Sequence, residues 1–284
     1  MNLWERQLIE TKNGQFEVFV KGDGEPLCIT HLYSEFNENG SVYASQFTPY
    51  RKVYLVNLRG CGQSTDEPVE VNYSMQQSVN DLEAVREALG FESWGFAGHS
   101  TGGMLALKYA IVAPESLQFI FAGGLCASDD YMRHAGSIYC KDNPNNKRIG
   151  EIIVLLRDPN SPIEERRAGS KEWSLMSLYK EENFENMINR PSSGKTVSKR
   201  LDYFSYEELP TYDLRPALPN VKMKAFLYSG LYDAQCPHVF TEEAARLMPN
   251  ATMTTFYESN HHPVMEEEEA FQQFVKQSFL QVLI

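Results

Sequence analysis

The run SWGFAGHSTGGMLALKYAIVA, residues 93–113, restricts the fold more than any other stretch of the chain. An apolar segment of strand length passes through a glycine-rich turn directly into an apolar segment of helix length. Neither has a clear polar face, so both must be covered, which places a strand inside a sheet with a helix laid against it. Between them, Gly98-His99-Ser100-Thr101-Gly102 has the form G-x-S-x-G. That pattern marks a strained strand-to-helix turn holding a serine hydroxyl exposed. The flanking glycines are needed because a side chain at either position would collide with neighbouring backbone. Ser100 stands at the start of the helix, where the dipole and the free N–H of Thr101 can stabilise a developing oxyanion.

The rest of the chain extends this strand–helix unit in both directions. FEVFVKG (16–22), LCITH (27–31), KVYLVNL (52–58) and LQFIFAGG (117–124) read as strands. Residues 74–89 place Met75, Val79, Leu82, Val85 and Leu89 on one helical face, with a Ser74/Gln77 capping box and a Gly90 stop. This alternation predicts an α/β fold with a mostly parallel central sheet and helices on both faces. From about 126 to 219 helical patterns take over and no strand candidate stands out. Strand and helix then alternate again, at 223–230, 238–247, 252–258 and from 266 onward. The expected organisation is therefore a core from 1–125, a helical insertion at 126–219, and the remainder of the core at 220–284.

Composition removes some function classes. The chain has 284 residues and a formal net charge of −12, from 26 Lys+Arg against 38 Asp+Glu. That balance argues against a nucleic-acid or anionic-membrane partner. The insertion carries 15 acidic and 14 basic residues, so the negative charge lies almost wholly outside it. Five scattered cysteines (Cys28, Cys61, Cys126, Cys140, Cys236) without a CxxC pair read as reduced thiols. The N-terminal residues lack the apolar core of a signal peptide, and no apolar run approaches the roughly 18 residues of a membrane span. The expectation is a soluble cytoplasmic protein. No metal-ligand spacing is evident, and the chemistry below requires no metal or organic cofactor.

A serine nucleophile needs a base and a group that orients the base. In folds with this turn, the order along the chain is serine, acid, histidine. Of the six histidines, His99 lies inside the turn and points away from Ser100, while His31 and His134 fall in the wrong order. His238, His261 and His262 remain. Asp233, in the loop after the 223–230 strand, is the candidate acid, and Asp129, after the strand preceding the insertion, is its rival.

At this point a family resemblance becomes specific. The stretches LRGCGQST (58–65), GHSTGGMLALKYA (98–110), SGLYDAQCP (229–237) and ESNHHPVMEE (258–267) are similar, in order and spacing, to the α/β-hydrolase-fold serine hydrolases of the proline iminopeptidase and esterase branch. The insertion occupies the place of that family's helical cap. The family's S-G-H-x-P motif falls on Ser259 to Pro263, which implies that His261 is the base and His262 a variable pocket position. Asn260 stands in the glycine place, where its tolerance of positive φ fits. Relatives carry His-Gly after the third strand, but Leu32 follows His31 here. By the resemblance, the second oxyanion N–H belongs to Tyr33. Loss of the family's H-G-G-P-G run argues against a true proline iminopeptidase.

The reading is a hydrolase of a small ester or amide, working through an acyl-enzyme. It assigns Ser100, Asp233 and His261 as the catalytic set, Thr101 and Tyr33 as backbone oxyanion donors, and His262, His99 and Leu32 as pocket candidates. The acidic run 266–269 is expected to open the last helix. Two alternatives accompany this reading: an aminopeptidase using cap carboxylates, and a non-catalytic binding protein on the same fold. Neither the substrate nor the oligomeric state follows from the sequence.

Overall fold

The computed structural model describes residues 3–66, 73–158 and 160–282. Its strands are β1 (Glu5–Thr11), β2 (Gly14–Lys21), β3 (Pro26–Ile29), β4 (Ser34–Glu35), β5 (Lys52–Val56), β6 (Trp94–His99), β7 (Leu117–Gly123), β8 (Lys195–Thr196), β9 (Lys224–Gly230) and β10 (Ala251–Phe256). Eight of them form one sheet in the order β1-β2-β5-β3-β6-β7-β9-β10. The β1–β2 and β2–β5 pairs are antiparallel and the others are parallel. The mostly parallel sheet is thus the one the sequence pattern predicts.

Helices cover both faces: α1 (Val42–Ser45), α2 (Met75–Ala88), α3 (Thr101–Val112), α4 (Asn146–Arg157), α5 (Ile163–Met176), α6 (Asn183–Ile188), α7 (Ser198–Tyr203), α8 (His238–Leu247), α9 (Pro263–Glu266) and α10 (Glu268–Val282). Successive strand residues point to opposite faces, and the core divides accordingly. Tyr54, Val56, Ile120, Ala122, Ala225 and Leu227 pack with α2, α3 and α8. Val53, Leu55, Phe119, Phe121, Phe226 and Tyr228 pack with α1 and α10. The near-continuous apolar runs in the sequence reflect this burial on two sides.

Four details depart from expectation. Strand β1 has no signature in the sequence because it is an edge strand with largely exposed side chains and so no apolar face to betray it. The insertion contains a strand after all, since β8 pairs with β4 through Ser34↔Thr196 and Glu35↔Lys195. At the start of α2, Ser74 Oγ accepts from Gln77 N–H at 3.0 Å. The reciprocal half of the capping box is not formed, because the Gln77 amide donates to Asp81 Oδ1 instead. The acidic run does not open one helix: Glu266 ends α9, and only Glu268 and Glu269 lie in the first turn of α10.

Candidate active site

Ser100 joins β6 to α3 with φ 56° and ψ −126°, and it is the one non-glycine residue with positive φ among those described. Such a conformation costs of order 1–3 kcal/mol and persists only where the surroundings enforce it. The enforcement is visible in the flanking glycines. A Cβ on Gly98 would sit 2.1 Å from Gly102 O, and one on Gly102 would sit 2.6 Å from Thr30 O. Ser100 N–H is tied to Gly123 O at 2.8 Å, which fixes the turn to the neighbouring strand.

The loops after β9 and β10 bring Asp233 and His261 together. His261 Nδ1–H donates to both Asp233 oxygens, at 2.9 and 3.0 Å, and both residues are buried. Asp233 Oδ1 also accepts from Gln235 N–H and Cys236 N–H, at 2.9 and 2.8 Å. The carboxylate therefore cannot swing away from the ring. Ser100 and His261 line one cavity. No hydrogen bond joins Ser100 Oγ to the free His261 nitrogen among the described residues, as is common before a substrate tightens such a site. The rival acid Asp129 pairs with Arg133 at 2.7 Å, and no hydrogen bond joins it to His261 among the described residues. His238 turns to Thr255 and lines neither cavity at the site.

Asn260 was expected to exploit positive φ, and it does not. Its side chain acts as a clamp instead. Oδ1 accepts from Ala234 N–H at 2.8 Å, while Nδ2 donates to Met176 O and Leu178 O at 3.3 and 3.4 Å. The acid loop, the base loop and the insertion are thereby joined by one amide, which glycine could not do. Glu266 and Glu267 complete the bracing. Glu266 accepts from Asn260 N–H at 2.9 Å, and Glu267 accepts from Ser259 Oγ at 2.7 Å and Glu258 N–H at 2.9 Å. Burial raises the Glu266 pKa against the pull of these donors.

The loop after β3 differs most from the sequence reading. Leu32 is fully buried in the core and lines neither cavity, so it is not a pocket residue. What the sequence offers no sign of is Arg200, which is almost wholly buried. Its guanidinium donates to Leu32 O, to Arg59 O at 2.8 Å and to Ser78 Oγ at 2.9 Å. Holding Leu32 O fixes the plane of the Leu32–Tyr33 peptide and hence the direction of Tyr33 N–H. That N–H lies 3.5 Å from His31 Nδ1, a weak bond, while Ser34 Oγ approaches the same nitrogen at 2.8 Å. With Nδ1 accepting, the ring proton sits on Nε2 and is donated to Thr101 Oγ1 at 3.1 Å. Burial, then the neighbouring His261 and Arg200 charges, push the His31 pKa down to about 3, so the ring is neutral.

His99 and His262 do line the larger cavity, with Tyr33, Ser100 and His261. The His99 ring stacks on Tyr228, shares a 3.0 Å hydrogen bond with its hydroxyl, and leaves Nε2 buried and unpartnered. Burial, followed by the charge of His261, lowers His262 to about 3. This cavity measures about 630 Å³, and a second of about 270 Å³ is also lined by Ser100. The smaller one is walled largely by aromatic and apolar side chains, among them Met104, Tyr131, Tyr139, Phe204 and Leu209, and also holds the Arg157–Asp202 pair. Ile153, Arg157, Trp173 and Leu201 of the insertion line both, which makes the insertion their roof. Among the described residues no group of three or more His, Cys, Asp or Glu could hold a metal ion, and no helix is long and apolar enough to cross a membrane.

A serine forced to positive φ between a parallel strand and a helix, in a mostly parallel sheet with helices on both faces, is the arrangement of the α/β-hydrolase fold. A profile of the alpha/beta hydrolase fold matches residues 36–127. A solved alpha/beta fold family hydrolase from Bacillus anthracis strain Sterne is 51% identical, with a TM-score of 0.96 over 97% of this chain and 99% of that one. The chain belongs to the α/β-hydrolase family and is an enzyme of that family, which sets aside the binding-only alternative. It resembles the proline iminopeptidase and esterase branch. The proline iminopeptidase of Heyndrickxia coagulans is 23% identical over 267 residues, 88% of each chain. A thermophilic esterase from Thermogutta terrifontis shares the fold at 20% identity, with a TM-score of 0.70 over 98% of this chain and 99% of that one.

Proposed function

We propose that this enzyme is a serine esterase acting on a small ester through an acyl-enzyme. The observation that carries the reading is the strained Ser100 sharing a cavity with His261, whose Nδ1 is held by Asp233. Ser100 Oγ attacks the ester carbonyl while His261 Nε2 takes its proton and then gives it to the departing alkoxide. Asp233 keeps the His261 proton on Nδ1 and stabilises the imidazolium. Water, activated by the same ring, releases the acid.

Thr101 N–H, at the first position of α3, and Tyr33 N–H receive the oxyanion. The weak Tyr33 contact with His31 is displaced when a charged oxygen arrives. Arg200 supplies through Leu32 O the peptide orientation that relatives obtain with glycine. Residues 126–219 act as the cap, closing both cavities over Ser100. The five buried, unpaired cysteines support a cytoplasmic enzyme.

The aminopeptidase alternative needs carboxylates facing the substrate's α-ammonium. Glu172, Glu181, Glu182, Glu207 and Glu208 line neither cavity. Glu172 pairs with Arg148, and Glu208 caps Met75 N–H. Asp202 is the one carboxylate among the lining residues, and Arg157 neutralises it. The test is a panel of acyl esters against aminoacyl amides, including prolyl amide, with Ser100→Ala as control. Hydrolysis of esters, abolished by that substitution, is expected. Cleavage of prolyl amide alone would overturn the esterase reading.

A further inference from the structure

The two cavities beside Ser100 share Arg157 and differ in their other charged groups, the smaller one holding Asp202. The larger one has no Asp or Glu in its lining, yet three cations, Arg157, Arg166 and Lys195, face it. Arg157 is answered by Asp202, and Lys195 stands 4.0 Å from Glu35. Arg166 has no carboxylate within ion-pair distance among the described residues. Among the described residues its guanidinium makes a 3.3 Å hydrogen bond from Nη2 to Leu156 O.

The arrangement of α5 sharpens the contrast. Arg166, Ser170, Trp173, Ser174 and Ser177 recur at the three- and four-residue spacing of one helical face, and all five line the cavity. A helix laid over a core ordinarily turns its apolar stripe inward. Here the cavity-lining face carries a guanidinium and three serines, of which Ser174 donates to Ser170 O and Ser177 to Trp173 O, with Trp173 as its apolar member. A half-buried cation with no carboxylate within ion-pair distance among the described residues, lining the same cavity as Ser100, fits an anion supplied by a ligand.

We propose that the larger cavity is the leaving-group compartment and that Arg166 binds a carboxylate on the alcohol portion of the ester. The apolar acyl portion then occupies the smaller cavity. This rests on Ser100 being the nucleophile. One unpaired guanidinium suits a monoanionic carboxylate better than a dianionic phosphate. In the reaction the Ser100 Oγ–acyl bond forms as the acyl–oxygen bond breaks. The serine proton passes through His261 to the leaving oxygen, and a hydroxy-carboxylate departs with its carboxylate still on Arg166.

The experiment compares 3-carboxyphenyl butanoate with the near-isosteric 3-carbamoylphenyl butanoate, in the unaltered enzyme and in Arg166→Gln. The carboxylate ester is expected to be favoured by about tenfold in kcat/KM, mostly through KM, as one charge-assisted hydrogen bond allows. Arg166→Gln should erase the preference while leaving the carbamoyl ester within about twofold. Equal rates in the unaltered enzyme, or a preference that survives in Arg166→Gln, would overturn the proposal.

If neither ester is hydrolysed, the esterase reading fails, and the anion site is decided separately by calorimetry on Ser100→Ala protein. Binding of 3-carboxyphenyl butanoate that disappears when Arg166→Gln is added sustains it. Absent binding, or binding unchanged by Arg166→Gln, rejects it.

Discussion

The floor and the roof of this site are built on different principles. Ser100, Asp233 and His261 stand on loops at the ends of β6, β9 and β10, where backbone approaches backbone so closely that glycine alone fits. A Cβ on Gly230 would lie 1.9 Å from Asn260 O. Asp233 and Asn260 are each saturated by hydrogen bonds from neighbouring loops. The roof adds, to its buried side chains such as Ile149 and Ile152, half-exposed ion pairs such as Arg157–Asp202 and Arg148–Glu172, of a kind that contributes little to stability. On the proposed mechanism, the hydrogen-bonded floor fixes the positions of the reacting atoms, whereas the roof sets which molecule fits above them. Substitutions in the floor should therefore reduce kcat, and those in the roof should change KM and selectivity.

The largest effect that can break this division comes from the three floor residues. Ser100→Ala or His261→Ala should lower kcat by about 10⁶, and Asp233→Asn by about 10⁴, with little change in KM. Comparable losses from a roof substitution would erase the distinction. Covalent labelling by a fluorophosphonate reads the same set independently, since labelling should vanish in Ser100→Ala and His261→Ala.

Arg200 tests whether a residue of the insertion can belong functionally to the floor. Arg200→Met keeps the stem but frees Leu32 O, and kcat should fall by roughly a hundredfold through loss of one oriented oxyanion donor. A change confined to KM would return Arg200 to the roof. Asn260→Gly restores the family residue but removes the clamp on Ala234, Met176 and Leu178. A loss of about 1–3 kcal/mol in unfolding free energy by denaturant titration is expected, from buried polar groups left unsatisfied.

Smaller effects belong to the roof and the cavity wall. Trp173→Ala should change relative kcat/KM among acyl chains by several-fold, about the scale of one or two methylenes in a pocket. His262→Ala should alter rate or selectivity only modestly, because its neutral ring touches the cavity without holding a catalytic atom. His31 and His262 also predict the acid behaviour. Each is neutral when folded, with a pKa near 3, against about 6.5 when unfolded. Between those values the unfolded chain binds more protons, so stability falls as pH drops from about 6.5 toward about 3. Replacing His262 by Gln should flatten that slope in a pH series of thermal unfolding, and an unchanged slope would place the responsible protons elsewhere.

Much of the floor is legible in the sequence because its requirements are local. The strain at Ser100 demands small residues two positions to either side, and that demand is written as G-x-S-x-G. The SNHHP motif carries the His261 loop in five consecutive residues. Where a role depends on a distant partner, sequence gave no sign or pointed elsewhere. Leu32 looked like a pocket wall from its neighbours, but its side chain turns into the core. Asn260 suggested backbone freedom, yet it serves as a three-way clamp. Glu266 and Glu267 read as helix-opening charges, although two of their four members fold back to brace the histidine loop.

By itself the sequence determined the parallel strand–helix alternation, the strained serine turn and the candidate acid and base. All of these are encoded by periodicity and short-range sterics, which neighbouring residues suffice to express. Only the tertiary structure decided that Arg200 orients the Tyr33 peptide, that the larger cavity has cations but no carboxylate in its lining, and that Arg166 has no carboxylate within ion-pair distance among the described residues. Those properties arise where side chains far apart in the chain share one low-dielectric space, and no single stretch of sequence holds more than one of the partners.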